Sequence, residues 1–495
     1  MAINQDDKTI SRREFASKVG AVAAGIAVGS EFLSSKAEAA AAAAPRAARR
    51  ILGANDRVVT ASIGIRGQGN SLKRGFAKLK NVEIKTLCDI DANLAPERIN
   101  DARLSDVTTF KPGFVQDMRR VFDDKDIDAV VIATPNHWHA LATIWALQAG
   151  KHVYVEKPSS HTVVEGRRMV EAAQRYNMIV QVGTMNRSRP AVKDAIKFIH
   201  EGGLGKVYMA RGLCYKPRPA IGKYPDGPMA PGEKYKLNVE SSMYEPPYDS
   251  AYLSKVDYDL WLGPAPKREF NRNHFHYNWH WHWEYGNGDT GNQGPHQFDI
   301  ARWGLNKNEH PVRVIATGGY FGGTPTSQET PDLHTSSFEY ADGAVLEFGT
   351  RGEGTNDERT VKIGNLFYGS DGWLWLDGDG RKWQSYHGPK DEKGPGADMP
   401  ETSGSGGDPN VLTSTEYPHY QNFVDALRAG DPKILTCEIL EGHLSSTLPH
   451  LANIAYLTKQ SLEFDGTSET FKDNKAADKL LTREYRKGFE VPDKT

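Results

Sequence analysis

The chain has 495 residues, with 61 basic and 63 acidic side chains and three cysteines. A composition of 38% hydrophobic and 25% charged residues is that of a large folded protein and excludes disorder. A net charge of −2 argues against nucleic acid or an anionic membrane as the main partner. Cys88, Cys214 and Cys437, with no CxxC spacing, exclude a disulfide framework and a zinc ribbon.

The first elements read as an address. Ser11-Arg-Arg-Glu-Phe-Ala-Ser-Lys18 precedes a short apolar run, Val19 to Gly29, and then Ala37-Glu38-Ala39. Paired arginines, a weak apolar segment and a small-x-small cleavage pattern predict a twin-arginine signal over 1–39, with an alanine-rich linker over 40–55. The run falls short of the about 20 apolar residues that a membrane span needs. The expectation is a periplasmic protein that meets the twin-arginine (Tat) translocon already folded. Any nucleotide cofactor would then travel with it, because no free pool is expected outside the cytoplasm.

A dinucleotide unit opens the rest of the chain, over 56–185. Arg57 to Ile63 reads as a strand, Gly64-Ile-Arg66-Gly67-Gln-Gly69 as a glycine turn, Asn70 to Lys80 as a helix, and Val82 to Cys88 as a second strand ending at Asp89. This is the order of a Rossmann unit: glycines for the tight turn, a helix N-terminus for the pyrophosphate, and an acid for the ribose hydroxyls. Asp89 would repel a 2′-phosphate, which favours NAD over NADP. The turn departs from G-x-G-x-x-G, since Arg66 takes the second glycine's place. A helix is expected over Val115–Val121. An apolar strand, Asp128 to Ala133, ends at Thr134-Pro-Asn136-His-Trp-His139. A helix (Ala140–Gly150), a strand (His152–Val155) and Glu156-Lys157-Pro158 follow, then a helix (Val164–Tyr176) and a strand (Ile179–Val182). Apolar strands of this kind belong to a parallel sheet covered on both faces, whose ligands sit at the strands' carboxyl ends. Thr134, Asn136, His139, Glu156 and Lys157 are the candidate cofactor contacts there.

Glu156-Lys157-Pro158 after Thr134-Pro135 and His139 resembles the glucose-fructose oxidoreductase/inositol dehydrogenase (Gfo/Idh/MocA) family. So do Tyr258-Asp-Leu-Trp-Leu-Gly-Pro-Ala-Pro266, Gly294-Pro-His296-Gln-Phe-Asp299 and His419-Tyr-Gln-Asn-Phe-Val-Asp-Ala-Leu427. The resemblance implies an α/β protein: an N-terminal Rossmann domain that binds NAD(P), and a C-terminal α/β domain with a large open, mainly antiparallel sheet that commonly makes dimers or tetramers. That second domain is expected over 186–464, with a charged tail over 465–495 that is expected to wrap the surface.

The second half begins with a helix, Ala191–Glu201, and a strand, Val207–Cys214. An aperiodic Pro/Gly/Tyr/Lys-rich excursion occupies 216–250, and its length suggests a binding or interface role. Strands recur at Val312–Gly318, Thr335–Tyr340, Ala344–Thr350, Thr360–Tyr368 and Gly372–Leu376. Gly394–Asn410 reads as a loop, and helices close the domain at Tyr417–Ala429 and Ser445–Thr458. The densest text is His274-Phe-His276-Tyr-Asn278-Trp279-His280-Trp281-His282-Trp283. Flat indole faces beside polar edges suit a sugar, so His276, Asn278, Trp279, His280, Trp281 and Trp283 are candidate substrate contacts. Burial of the tryptophans in a core is the plain alternative. A third reading puts His274, His276, His280 and His282 on one face of a strand as metal ligands, but metal-free redox chemistry is what the resemblance implies, so no metal is expected.

The resemblance also implies the chemistry. The family's EKP lysine falls on Lys157 and its histidine on His296, flanking a carbinol from which hydride and proton leave. The aspartate of the family's Asp-x-x-x-His falls on Asn292, which cannot take a proton. Asp289 is the nearby carboxylate that could supply the missing charge. His296, with a reference pKa near 6.5, becomes the favoured acid/base. The expected function is oxidation of a sugar or glycoside hydroxyl by tightly bound, internally recycled NAD. Two alternatives remain: a redox-mechanism glycosidase, and a non-catalytic sugar-binding protein, for which Arg66 and Asn292 speak.

Overall fold

The computed structural model describes residues 52–53, 56–104, 111–227, 250–399 and 417–493. The expected export signal, most of the expected linker and most of the 216–250 excursion lie outside these residues. Among the described residues no helix is long and apolar enough to cross a membrane.

Two sheets organise the chain. The first holds β1 (Val58–Ile63), β2 (Val82–Cys88), β3 (Gly113–Val115), β4 (Ala129–Ile132), β5 (His152–Val155) and β6 (Val180–Val182). Its order is β3-β2-β1-β4-β5-β6 and every pairing is parallel. This is the doubly wound Rossmann order. All residues of β1, β4, β5 and β6 are buried, as the apolar runs require when helices cover both faces. The covering helices are α1 (Gly67–Ala77), α2 (Asn136–Gln148) and α3 (Val163–Tyr176).

The second sheet adds β7 (Val207–Cys214), β8 (Arg313–Gly319), β9 (Leu333–Glu339), β10 (Val345–Arg351), β11 (Ile363–Gly369), β12 (Gly372–Asp377), β13 (Lys382–His387), β14 (Glu392–Asp398), β15 (Leu462–Asp465) and β16 (Thr470–Phe471). Its order is β14-β13-β12-β11-β7-β10-β9-β8-β15-β16. β7 and β10 pair in parallel, and the other strand pairs are antiparallel. Buried and exposed residues alternate along β8 and β9, so one face is packed and one is open. Ile315 and Leu333 lie exposed on the open side.

Helices α4 (Pro190–His200), α5 (Gly288–Asn292), α6 (Gly294–Gly304), α7 (Tyr417–Ala429) and α8 (Ile439–Thr458) join the two layers. α6 lies against the second sheet: Phe298 packs on Phe338 and Phe348 at ring-centroid distances of 5.5 and 4.4 Å. Gly212 of β7 permits the approach, because a Cβ there would stand 2.8 Å from Cβ of Gln297. Asn365 of β11 donates to the Gln297 carbonyl at 2.9 Å. Buried ion pairs then lock α6 to the first layer, with Arg187 on Asp299 at 2.7 Å and Arg302 on Glu441 of α8. α7 turns back onto the Rossmann layer, where Tyr420 and Phe423 pack on Phe76 and Tyr154.

The structure departs from the sequence reading in four places. The helix expected over Val115–Val121 is β3 followed by a turn and a short helix at Arg119–Asp123. The loop expected from Gly394 begins inside β14, paired to β13, and its later part lies outside the described residues. The His274–His282 run is no strand; it is a chain of turns with a 3-10 turn at Asn278–Trp281. The charged tail is more than a surface wrap. Val491 is buried in the Rossmann core, and Phe489 packs edge-on against Trp138 at 5.6 Å.

Candidate functional site

The glycine turn after β1 is built by close approaches. Gly64 has φ +79°, and a Cβ there would stand 2.7 Å from the Ala133 carbonyl. A Cβ on Gly69 would stand 1.7 Å from the carbonyl of Gly64, so α1 packs directly on the turn. A Cβ on Gly67 would meet nothing within 4 Å. Gly67 is exposed at the start of α1, where the first N–H groups point outward with no side-chain cap from Arg66. The surface is open where a pyrophosphate needs it.

Asp89 follows β2. Its carboxylate accepts from the Ile65 N–H at 2.8 Å and the Asp91 N–H at 3.0 Å. Burial raises it to about 6, against the lowering effect of those two bonds. Asp89 therefore ties the glycine turn to the end of β2. Asp91 beside it is fully buried and accepts from the Tyr252 hydroxyl and from Asn93. His276, expected among the sugar contacts, stands here instead: its Nε2 is 3.9 Å from Asp91, and the charge of Arg66 reaches its ring. Its backbone is left-handed, φ +58°.

At the ends of β4 and β5 the chain leaves polar atoms for a ligand. Thr134 Oγ1 and Asn136 Oδ1 are buried with no hydrogen-bond partner among the described residues. Together with the open face at Gly67, these orphaned atoms fit a dinucleotide. Glu156 accepts from Gln68 Nε2 at 3.3 Å and from the Lys157 N–H at 3.2 Å, joining the glycine helix to the end of β5. His139 does not offer a nitrogen to a cofactor. Its two ring nitrogens lie 2.7 Å from the Pro158 and Thr134 carbonyls; the neutral ring donates its one N–H to one of them and sits wedged between the two strand ends. Burial lowers its pKa to about 4.

Lys157 reaches across to α5. Its Nζ donates to the Asn292 carbonyl at 2.7 Å, with the Asn292 Oδ1 at 3.4 Å. Burial lowers the lysine's pKa, opposed by the charges of Glu156 and Asp289. His296, on the first turn of α6, has its Nδ1 buried without a partner. Burial, aided by the charges of Lys157 and Arg189, holds its pKa well below 6.5, so the ring is neutral where an ordinary histidine would be half charged. Asp289 is not a free charge. Arg218 grips it with two bonds, Nε to Oδ2 at 2.8 Å and Nη2 to Oδ1 at 2.6 Å. Asn292 Nδ2 touches the same carboxylate at 3.5 Å. The structure thus brings Lys157, Asn292, Asp289 and His296 together and adds Arg218, which no spacing in the aperiodic 216–250 stretch could signal.

The tryptophan run divides. Trp281 is buried, with the Arg218 guanidinium over its ring at 5.1 Å, so it is no bare platform for a sugar. Asn278 is spent on Asn273 at 2.8 Å. Trp283 is half-buried, and its main-chain N–H donates to Glu329 at 2.8 Å. Trp279 stacks on His280 at 3.6 Å, and the charges of Lys157 and Arg218 both reach His280. His280 and Trp279 remain with the catalytic group. With no strand in this run, the four histidines share no ligand face. A separate buried group, His310, His443 and Glu469, brings both Nε2 atoms to one Glu469 oxygen at 2.8 and 2.7 Å. Arg167 forks onto that carboxylate at 3.1 and 2.6 Å and already supplies the balancing cation.

A doubly wound sheet with a ligand-ready glycine turn, joined to a mixed sheet that returns a histidine to the strand ends, defines a two-domain dinucleotide-fold oxidoreductase. Family models agree in both parts. The Rossmann-fold NAD-binding domain of the oxidoreductase family matches residues 61–184, and that family's C-terminal alpha/beta domain matches 247–365. The chain belongs to the Gfo/Idh/MocA family of oxidoreductases.

Among curated relatives, a levoglucosan dehydrogenase of Pseudarthrobacter phenanthrenivorans is 44% identical over 96 residues, 19% of this chain and 25% of that protein. A glycosyl hydrolase family 109 protein of Shewanella pealeana is 35% identical over 173 residues, 34% of this chain and 37% of that protein. These matches therefore span well under half of either relative. Solved structures share the fold across both domains. A levoglucosan dehydrogenase in complex with NADH and levoglucosan has a TM-score of 0.59 at 20% identity, covering 82% of this chain and 99% of that one. An aldose-aldose oxidoreductase from Caulobacter crescentus complexed with glycerol has a TM-score of 0.57 at 16% identity, covering 82% and 100%.

Proposed function

We propose that this protein oxidises a hydroxyl of a sugar or glycoside with NAD that it retains. The observation that carries this reading is the pairing of Lys157 with α5, which sets an ammonium beside a neutral histidine at the carboxyl ends of the Rossmann strands. Thr134, Asn136, Glu156 and the glycine turn would hold the dinucleotide. When bound, it supplies an acceptor for the hydrogen on the carbinol carbon. His296 Nδ1, neutral and unpartnered, takes the hydroxyl proton. Lys157, steered by the Asn292 carbonyl, donates a hydrogen bond to the carbinol oxygen and steadies its developing charge. The Asn292 amide orients a neighbouring hydroxyl. Sugar as the substrate class is supported by the levoglucosan dehydrogenase relative.

A second reading, net glycoside hydrolysis through a transient ketone, is favoured by the family 109 relatives. Export by the twin-arginine route fits a retained cofactor. The open face of the second sheet, with Ile315 and Leu333 exposed, suits a dimer or tetramer. Denaturation of the purified protein in neutral methanol should release about one NAD(H) per chain. Absence of cofactor, with no saturable binding of added NAD, would overturn the reading.

A further inference from the structure

One continuous stretch of the second domain, 252–263, is bonded to the Rossmann layer at both of its ends. The first end lies on the residues that follow β2. Asp91 and Val256 form an antiparallel bridge, the Ala92 N–H donates to the Lys255 carbonyl at 3.1 Å, and the Asp257 N–H donates to the Ile90 carbonyl at 2.9 Å. Gln116 Nε2 donates to the same two carbonyls, Ile90 at 2.9 Å and Lys255 at 3.2 Å. The Tyr252 hydroxyl donates to the fully buried Asp91 carboxylate, and Asn93 Nδ2 donates to the Tyr252 carbonyl at 3.0 Å.

The other end lies on the first turn of α2, after β4. Asp257 caps the short helix Tyr258–Leu262 by accepting from the Leu260 N–H at 2.9 Å. The Trp261 carbonyl then accepts from His137 Nε2 at 2.9 Å and from Trp138 Nε1 at 3.1 Å. Gly263 packs directly on the Trp138 indole, where a Cβ would come within 2.1 Å of the ring. Arg486 of the tail holds this end too, Nε donating to the Gly263 carbonyl at 2.8 Å and Nη1 to Asp259 at 2.6 Å.

β2 and β4 flank β1 in the sheet, so a chain bonded after both of them bridges the crevice at the end of β1, where a doubly wound sheet takes its dinucleotide. His276 stands at the same place. Its Nε2 is 3.9 Å from Asp91, and the charge of Arg66 in the glycine turn reaches its ring. Loops that let ligands in and out are usually the weakly held parts of a fold. This one is paired, capped and closed on a buried carboxylate, so a dinucleotide in the crevice leaves only when those bonds open.

We propose that the stretch 252–263 is a strap over the adenosine half of the dinucleotide that sets how slowly the cofactor leaves, with Gln116 and Tyr252 as the positioning residues that hold it down. This rests on the retained-NAD reading above and names the element responsible for retention.

The test mixes NAD-loaded protein with excess NADH, and the rise of bound-NADH fluorescence reports the rate at which NAD leaves. The same chase on protein loaded with ADP-ribose reports the adenosine half alone. Gln116→Leu removes the two side-chain bonds to the strap, while the Ile90 and Lys255 carbonyls keep their main-chain donors. Tyr252→Phe removes the hydroxyl from Asp91. Each variant should speed the release of NAD and of ADP-ribose by the same factor, about 10- to 100-fold. Phe471→Leu, buried at the far edge of the second sheet, lowers the melting temperature without touching the strap and should release both ligands at the native rate. Native release rates in both folded strap variants, faster release of NAD without ADP-ribose, or equally fast release from Phe471→Leu would each overturn the proposal while leaving the retained-NAD reading intact. If the native protein holds no NAD, or loses it as fast as the reagents mix, the retained-NAD reading falls and the strap with it.

Discussion

Lys157 Nζ donates to the main-chain carbonyl of Asn292 at 2.7 Å, while the side-chain oxygen of the same residue stands off at 3.4 Å. The aspartate-to-asparagine change at this position therefore leaves the lysine's principal anchor in place, because every residue carries that carbonyl. Lys157→Met should lower kcat by about 100- to 10,000-fold with NAD still bound. Asn292→Ala should cost about tenfold or less, since it removes a secondary contact. Equal losses in the two variants, measured on one substrate, would show that the side chain does the anchoring.

The glycine turn separates packing from ligand contact. Gly69→Ala forces a Cβ to within 1.7 Å of the Gly64 carbonyl and should lower the melting temperature and abolish NAD retention together. Gly67→Ala meets nothing within 4 Å in the protein, so its melting temperature without cofactor should be unchanged while NAD affinity falls. Titration of stripped protein with NAD, alongside thermal melts, separates the two effects.

The tail holds a buried charge in place. Arg483 Nε sits 2.9 Å from Glu165, whose side chain has no exposure, and Arg483 Nη2 donates to the His137 carbonyl at 2.7 Å. Arg483→Ala strands that carboxylate with the Tyr485 hydroxyl and the His161 N–H as its remaining partners. Denaturant unfolding should show a loss of about 3–5 kcal/mol. A change below about 1 kcal/mol would mean that the tail is not structural there.

Acid should weaken the fold before it reaches the carboxylates. Burial lowers His137 and His280 to about 3, and His139 and His419 to about 4. In the unfolded chain these histidines titrate near 6.5, so between pH 6.5 and about 4 the unfolded state binds more protons than the folded one. Stability then falls as pH drops through that window and is fully present above it. Urea midpoints measured from pH 7.5 to 4.5 should decline steadily. A flat profile would mean that these rings take up protons in the fold as readily as in the unfolded chain.

The Rossmann half was legible because parallel strands with both faces covered read as unbroken apolar runs, and because Gly64 and Gly69 are fixed by backbone clashes that leave no alternative residue. Lys157, Asn292 and His296 were reached through a family resemblance; spacing alone would not have joined residues more than 130 positions apart. Arg218 carried no periodic signal and became visible only through its grip on Asp289. The tryptophan run misled because stacking faces and core faces have the same sequence. Arg218 covers Trp281, Asn273 takes Asn278, and His276 stands beside Asp91 after β2. β14 went unread because Gly394, Pro395 and Gly396 look like a loop, yet they lie within an edge strand in which Gly396 pairs with Gln384 and the register shifts at the two residues before it.

The central claim is that Lys157 and His296 assist removal of hydrogen from a sugar carbon to NAD held by the protein. Deuterium on the carbinol carbon of an accepted pyranoside tests it, with the reaction quenched in cold neutral methanol within one turnover and the released cofactor weighed by mass spectrometry. The account predicts deuterium on the nicotinamide in the native protein and none with Lys157→Met. Product that forms while the native protein's cofactor carries no deuterium would contradict it.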